Sequence, residues 1–324
     1  MKLRNVSTAK LCVFTVILLT GLPGFSFALN RPECIADSNE RSGFMMTSAP
    51  CGTYGVVKTR EKEGQDVVVQ YMVHLPEGVR NGLVVLFAGG NGNTGIVGDP
   101  VTGKVIKAGN NFLVRSAQLF SRHHYLAVTI DRPLVRVTGE LVPEFPGNPS
   151  QFDRHRISPE HGNDIAAVIK KVKTKKDLPV FLAGTSRGAL SAVAQHLLDV
   201  GIVGILLSSP VTSPGSFESL YIGHPSYPNL QPRFVTVPVH VLAHKLDGCY
   251  ISTPPDSAML HAEFMKAGVD SRFDEVTGGF NLAGRGSITP CDARTYHGFL
   301  GMENSAVKKI TNRMDRILKG LKRD

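Results

Sequence analysis

The sequence predicts an α/β fold: a mostly parallel, twisted sheet flanked by helices, with irregular lid-like loops. Three observations carry that reading. Short apolar or β-branched runs alternate with helix-period segments from residue 67 onward. Runs such as 83–88 and 179–183 are apolar without alternation, as strands buried on both faces must be. The chain has 324 residues, 42% of them hydrophobic and 19% charged, enough for a substantial core.

Residues 67–74 alternate and stop before Pro76, an antiparallel-type strand. The buried run 83–88 ends at Gly89-Gly90. Helical spacing covers 112–123, and 126–130 is the next strand. Over 161–173 the residues Ile165, Val168, Ile169 and Val172 share one helix face. The run 179–183 leads through Gly184-Thr185-Ser186-Arg187-Gly188 into a helix predicted over 189–200. Strands follow at 202–207, 237–243 and, more weakly, 272–276, with helices at 254–267 and 304–321.

Two long stretches, 132–158 and 209–236, lack periodicity and are rich in proline or in Pro, Ser and Gly. Irregular segments of that length inside an α/β pattern are usually functional loops or lids. Phe145, Phe152, Phe217 and Tyr221 are therefore expected to wall a pocket. The expected organisation is a signal peptide over 1–28, a cysteine-bearing N-terminal segment over 29–65 and a catalytic domain over 66–324.

The export signal rests on Lys2, Arg4 and Lys10, an apolar run over 11–20, and the small residues Ser26 and Ala28 at −3 and −1 of a cleavage point. That run is short for a spanning helix, which needs roughly 20 residues. The mature chain is thus expected to be periplasmic or secreted, with no stable membrane insertion. Cleavage after Ala28 removes three basic residues and lowers the formal charge from +9 to +6. An excess that small, with one Lys cluster over 170–176 on a helix and its exit, gives no footprint for nucleic acid. Four cysteines remain: Cys34, Cys51, Cys249 and Cys291. An even count in an exported chain implies disulfides, and of three pairings proximity favours Cys34–Cys51 and Cys249–Cys291.

Gly184-x-Ser186-x-Gly188 lies directly between a predicted strand and a predicted helix. A serine there occupies a tight, strained turn that lifts its hydroxyl above the carboxyl edge of a sheet. Side chains at either glycine would collide with the neighbouring strand and helix. The turn also aims the Arg187 N–H where negative charge develops on a carbonyl oxygen.

These residues resemble the α/β-hydrolase superfamily, in its exported serine-esterase or dienelactone-hydrolase-like branch, over residues 66–321. The resemblance implies a second oxyanion amide from the loop Ala88-Gly89-Gly90-Asn91-Gly92, supplied by Gly90 or Asn91, with Ala88 where such loops usually carry histidine. The superfamily order is Ser, then Asp/Glu, then His. Asp247 follows the strand ending at Ala243, and His297 precedes the last helix, so both fall on carboxyl-edge loops. Ser186 is then the nucleophile, His297 its general base and Asp247 the acid that orients the imidazole. A Cys249–Cys291 bridge, as exported hydrolases of this kind can carry, would hold the acid loop against the base loop. Its other reading is a purely stabilising bond. His244, His161 and His196 compete as bases, Asp131 and Asp292 as acids. Asp131 is expected to anchor its own loop.

The activity implied is hydrolysis of a small or polymeric ester through an acyl-enzyme, with no cofactor. An amidase or peptidase of the same class, or a non-catalytic binder on the same fold, are the alternatives. Gly90-x-Gly92-x-x-Gly95 imitates a dinucleotide fingerprint, but no helix opens there. Residues 98–104 imitate a phosphate loop, but Val105 stands where Ser or Thr would hold magnesium. No His-Glu-x-x-His or Cys-x-x-Cys supports a metal site.

Overall fold

The computed structural model describes residues 52–146, 149–173, 175, 177–213 and 220–322. The expected signal peptide, Cys34, Cys51 and Phe217 lie outside the described residues.

Among the described residues ten strands form one sheet: β1 (Thr53–Lys62), β2 (Gln65–His74), β3 (Gly82–Phe87), β4 (Tyr125–Ile130), β5 (Leu134–Val137), β6 (Glu140–Pro143), β7 (Val180–Thr185), β8 (Ile202–Ser208), β9 (Val239–His244) and β10 (Ser271–Val276). The spatial order is β10-β9-β8-β7-β3-β4-β2-β5-β6, with β1 also paired to β2. The six strands from β10 to β4 run parallel, and β2, β1, β5 and β6 join antiparallel. The central strands β3, β4 and β7 are buried along their whole length. Coverage on both faces is what permits their unbroken apolar sequences.

Among the described residues seven helices provide that coverage: α1 (Phe112–Arg115), α2 (Ala117–Arg122), α3 (Pro149–Arg156), α4 (Pro159–Val172), α5 (Gly188–Ala194), α6 (Pro254–Lys266) and α7 (Glu303–Leu321). Alternate residues of β3 divide between two cores. Leu83, Val85 and Phe87 pack with Ile165, Val168 and Ile169 of α4, Leu190 of α5 and Phe264 of α6. Val84 and Leu86 pack with Phe112 of α1, Phe120 of α2, and Val307, Ile310 and Met314 of α7. The helix starts follow from local chemistry. Ser158 accepts from the His161 N–H with Pro159 in the first turn of α4, and Thr253 does the same for Asp256 at the head of α6.

The structure departs from the sequence reading at four places. The helix expected over 112–123 is two short helices, interrupted at Ser116, whose N–H turns back to the Phe112 and Val114 carbonyls. The helix expected over 189–200 stops at Ala194. There the Gln195 amide donates to the carbonyls of Arg156 and Ser158 and the His196 ring bonds the Val193 carbonyl, so both side chains compete with a further helical turn. Residues 132–158 are not irregular throughout: they hold the β5–β6 hairpin and α3. Finally, β1 was not predicted. Only Tyr54 of its ten residues is buried, so the strand carries neither an apolar alternation nor an apolar run; within the sheet it pairs with β2 alone.

Candidate active site

Ser186 sits between β7 and α5 with φ +52°, a left-handed conformation that costs a non-glycine residue on the order of 1–3 kcal/mol. Three backbone bonds hold it there. Its N–H donates to the Ser208 carbonyl at 3.0 Å, and its carbonyl accepts from Ala189 at 3.0 Å and from Val211 at 3.3 Å. The flanking glycines are required sterically. A Cβ at Gly184 would lie 2.3 Å from the Gly188 carbonyl oxygen, and one at Gly188 would lie 2.3 Å from the Phe87 oxygen. Backbone on both sides leaves nothing that could give way.

The loop after β3 approaches this turn closely. A Cβ at Gly89 would fall 2.9 Å from the Ser186 Cβ and 3.0 Å from the Thr185 oxygen. Gly90 has φ +56°, a backbone conformation that suits glycine. Gly89, Gly90, Asn111, Phe112, Ser186, Ala293 and His297 line one small cleft together with Thr185, Cys291 and Gly298.

His297 enters that cleft from a short 3-10 turn, Tyr296–Gly298. Its Nδ1 lies 2.9 Å from Asp247 Oδ2. The other carboxylate oxygen, Oδ1, accepts from the Cys249 N–H at 2.9 Å. Ser186, Asp247 and His297 are all buried, at 7%, 6% and 5% exposure, so an imidazole–carboxylate bond here is shielded from water. Cys249 and Cys291 are joined as a disulfide. The bridge therefore ties the residue that bonds the Asp247 carboxylate to the loop that carries His297.

Sequence reasoning missed several neighbours. Ser252 is fully buried, and its Oγ lies 3.0 Å from His297 Nδ1. Arg115 of α1 donates to the Ala293 and Gly298 carbonyls and pairs with Glu303 at 2.8 Å, pinning the loop that carries His297. Phe112 and Asn111 reach the cleft from the head of α1. No local pattern marks these residues, because each acts across more than 40 residues of chain.

The competing residues are engaged elsewhere. His244 stacks on Tyr296 at 4.3 Å, bonds the Gly278 carbonyl and accepts from the Leu246 N–H. His196 bonds the Val193 and Phe234 carbonyls. Asp131 accepts from the Thr94 and Arg132 amides, and so anchors its loop through backbone. Asp292 pairs with Arg294. Phe145 and Phe152 do not line the cleft; they pack with each other and with His155, and Phe152 fills the space beside Gly92. Tyr221 packs on His224.

Among the described residues one group could hold a metal ion: His155, His161 and Asp164, all buried, with ligand atoms within 4.8 Å of one another. Asp164 already accepts from Arg60 through both oxygens. Burial and the nearby Arg156 and Arg60 charges hold the His161 pKa well below its ordinary value. The Arg60 guanidinium already occupies Asp164, and the nearby Arg156 charge adds to the positive field at His161, so the group is poorly suited to a dication.

The fold is that of the α/β hydrolases. The acylaminoacyl peptidase of Pyrococcus horikoshii is similar with a TM-score of 0.52 and 14% identity, covering 82% of this chain and 42% of that one. This chain therefore spans less than half of the peptidase. A cold-adapted esterase from an Arctic intertidal metagenomic library aligns at a TM-score of 0.45 and 17% identity, over 69% of this chain and 83% of that one. Est1E from Butyrivibrio proteoclasticus aligns at 0.49 and 13%, over 82% and 99%. At such identities the likeness is one of fold. No family model and no curated protein matches the sequence.

Proposed function

We propose that this chain is a serine hydrolase that cleaves carboxylic esters through an acyl-enzyme on Ser186. The observation that carries the reading is the 2.9 Å His297–Asp247 bond in the cleft where Ser186 stands on a strained strand-to-helix turn. With Nδ1 bound to the carboxylate, the free ring nitrogen, Nε2, is the one available to take a proton.

In the first step Ser186 Oγ bonds to the ester carbonyl carbon as its proton passes to His297 Nε2. The carbonyl electron pair moves onto oxygen, where the Arg187 amide and the Gly90 or Asn91 amide stabilise it. The pair returns, the C–O bond to the leaving group breaks, and His297 delivers the proton to the departing alkoxide. Water repeats the sequence, releasing the acid and restoring Ser186. Asp247 orients the ring.

Export from the cytoplasm belongs to the same proposal. The Cys249–Cys291 disulfide supports it, since such bonds persist in oxidising compartments. Among the described residues no helix is long and apolar enough to cross a membrane. The division into a signal peptide, an N-terminal segment and a catalytic domain is part of this reading too.

Turnover of short p-nitrophenyl esters and labelling by a fluorophosphonate test the assignment. Ser186→Ala is expected to abolish both, and His297→Ala to lower kcat by about 10³-fold or more. Unchanged labelling in Ser186→Ala overturns it. A purified protein that neither labels nor turns over any ester or amide would instead be a binder on a hydrolase fold.

A further inference from the structure

The largest fully buried side chain among the described residues is that of Arg156, at the end of α3, with 1% exposure. Burial lowers its pKa to about 10, still far above neutrality, so it is a buried cation. Such a charge persists only where its donors are used. Its Nη2 donates to the Ala88 carbonyl at 2.8 Å and to the Gly90 carbonyl at 3.3 Å. Its Nη1 donates to Ser191 Oγ of α5 at 3.0 Å. The guanidinium lies 4.5 Å over the Phe152 ring.

Arg156 Nε lies 3.5 Å from Asp153 Oδ1, an ion pair without a hydrogen bond, and the other oxygen of Asp153 binds the Arg187 guanidinium. Arg187 is the residue after the nucleophile. A chain of three charged side chains, Arg156, Asp153 and Arg187, thus links the loop after β3 to the turn after β7. Neither end is remote from the chemistry: these are the two segments proposed to supply the oxyanion amides.

A peptide group is planar, so fixing a carbonyl fixes the N–H on the same plane. Arg156 holds the planes 88–89 and 90–91. The plane between them carries the Gly90 N–H, and its carbonyl, that of Gly89, accepts from Gly92 at 3.0 Å. Three consecutive planes are held, in a loop whose glycines would otherwise leave it free.

We propose that Arg156 is a positioning residue for the oxyanion hole: with Asp153 as its link to Arg187, it sets the β3 loop amide and the Arg187 amide in register. It touches no substrate atom. The inference rests on the serine hydrolase reading, and extends it to a residue 30 positions before the nucleophile. A preorganised donor pair matters to the charged transition state and little to the neutral ester.

The test compares the parent protein with Arg156→Lys, Arg156→Met and Arg187→Met. Each is assayed for kcat and KM on one p-nitrophenyl ester, and for inhibition by an alkylboronic acid, which forms an anionic tetrahedral adduct on Ser186. Arg156→Lys keeps the charge but not the planar fork. It is expected to lose about 10- to 100-fold in kcat, less than the roughly 10²- to 10³-fold seen when an oxyanion donor is removed outright, because the donor is displaced and not deleted. KM should stay within about twofold, and boronate affinity should weaken in step with kcat. Arg156→Met should lose more. Arg187→Met, which leaves the fork on the loop intact, should lose less, again in kcat, and it keeps the idea testable if the Arg156 variants do not fold. Folded Arg156 variants with parental kcat and boronate affinity overturn the proposal, as do variants in which KM and kcat move together with the melting temperature. If the parent itself turns over no ester and takes no fluorophosphonate on Ser186, the hydrolase reading and this inference both fall. An active parent with indifferent Arg156 and Arg187 variants refutes the positioning role alone.

Discussion

Replacing both cysteines of the Cys249–Cys291 bridge by alanine separates two effects of one bond. The bridge closes a loop of sequence separation 42. In the chain-entropy account, releasing a loop of that length from the unfolded ensemble costs about 4 kcal/mol of stability. For a chain of 324 residues, with an unfolding entropy of about 2.1 cal/mol/K per residue, this corresponds to a melting temperature lower by about 6 °C. Cys249 is fully buried, so the lost sulfur also removes packing and the true fall is expected to be somewhat larger. The second effect is local. The Cys249 N–H donates to Asp247, and Cys291 begins the segment that ends in His297 and itself lines the cleft. The double variant, or protein treated with a reductant below its melting temperature, should therefore lose kcat while still folded. Thermal melts by circular dichroism alongside ester turnover at 25 °C measure both. A melting temperature within 1 °C of the parent refutes the loop-entropy reasoning. Full activity in reduced, folded protein refutes the bracing of acid against base, and leaves a bond that only stabilises.

Gly188→Ala is expected to abolish turnover or prevent folding, since its Cβ would meet the Phe87 and Ala88 carbonyl oxygens at 2.3 and 2.8 Å; a soluble, active Gly188→Ala protein contradicts the packing argument. Asp274→Asn probes acid stability. Its carboxyl is held well below the ordinary range, first by the hydrogen bond from His240 and then by Arg272. A depressed carboxylate contributes stability that is fully present above its unfolded pKa near 3.8 and drains away as pH falls below that value. The variant should be less stable than the parent at pH 6, with the gap narrowing below pH 4; denaturant melts that show a constant gap would contradict this.

Much of this site was legible in one dimension because its constraints are local. The Gly184-x-Ser186-x-Gly188 turn needs two missing side chains and a strand before a helix, and all of those are properties of adjacent residues. The parallel sheet was legible for a similar reason: a strand covered on both faces has nowhere to place a polar residue, so 83–88 and 179–183 declare themselves. The position of Asp247 after β9 and of His297 before α7 followed from the order of elements. Boundaries that depend on one side chain's choice of partner were not legible. Gln195 has the same composition signature whether it continues a helix or turns to hold Arg156 and Ser158 carbonyls.

The residues 132–158 show the other limit. Their prolines read as a loop, yet the segment supplies a hairpin at the sheet edge and the helix that carries Asp153 and Arg156. Whether an arginine there meets solvent or the backbone behind a nucleophile is decided by contacts 35 to 68 residues away. The chain alone determined the layered fold and the turn that carries Ser186, because each follows from neighbouring residues or from periodicity; the order of the three proposed catalytic groups came from the family resemblance. Only the tertiary structure decided which of the candidate histidines meets a candidate acid, what fills the space behind the glycine loop and which buried charges hold it. Those outcomes depend on distances through space, and residues far apart along a chain carry no local record of them.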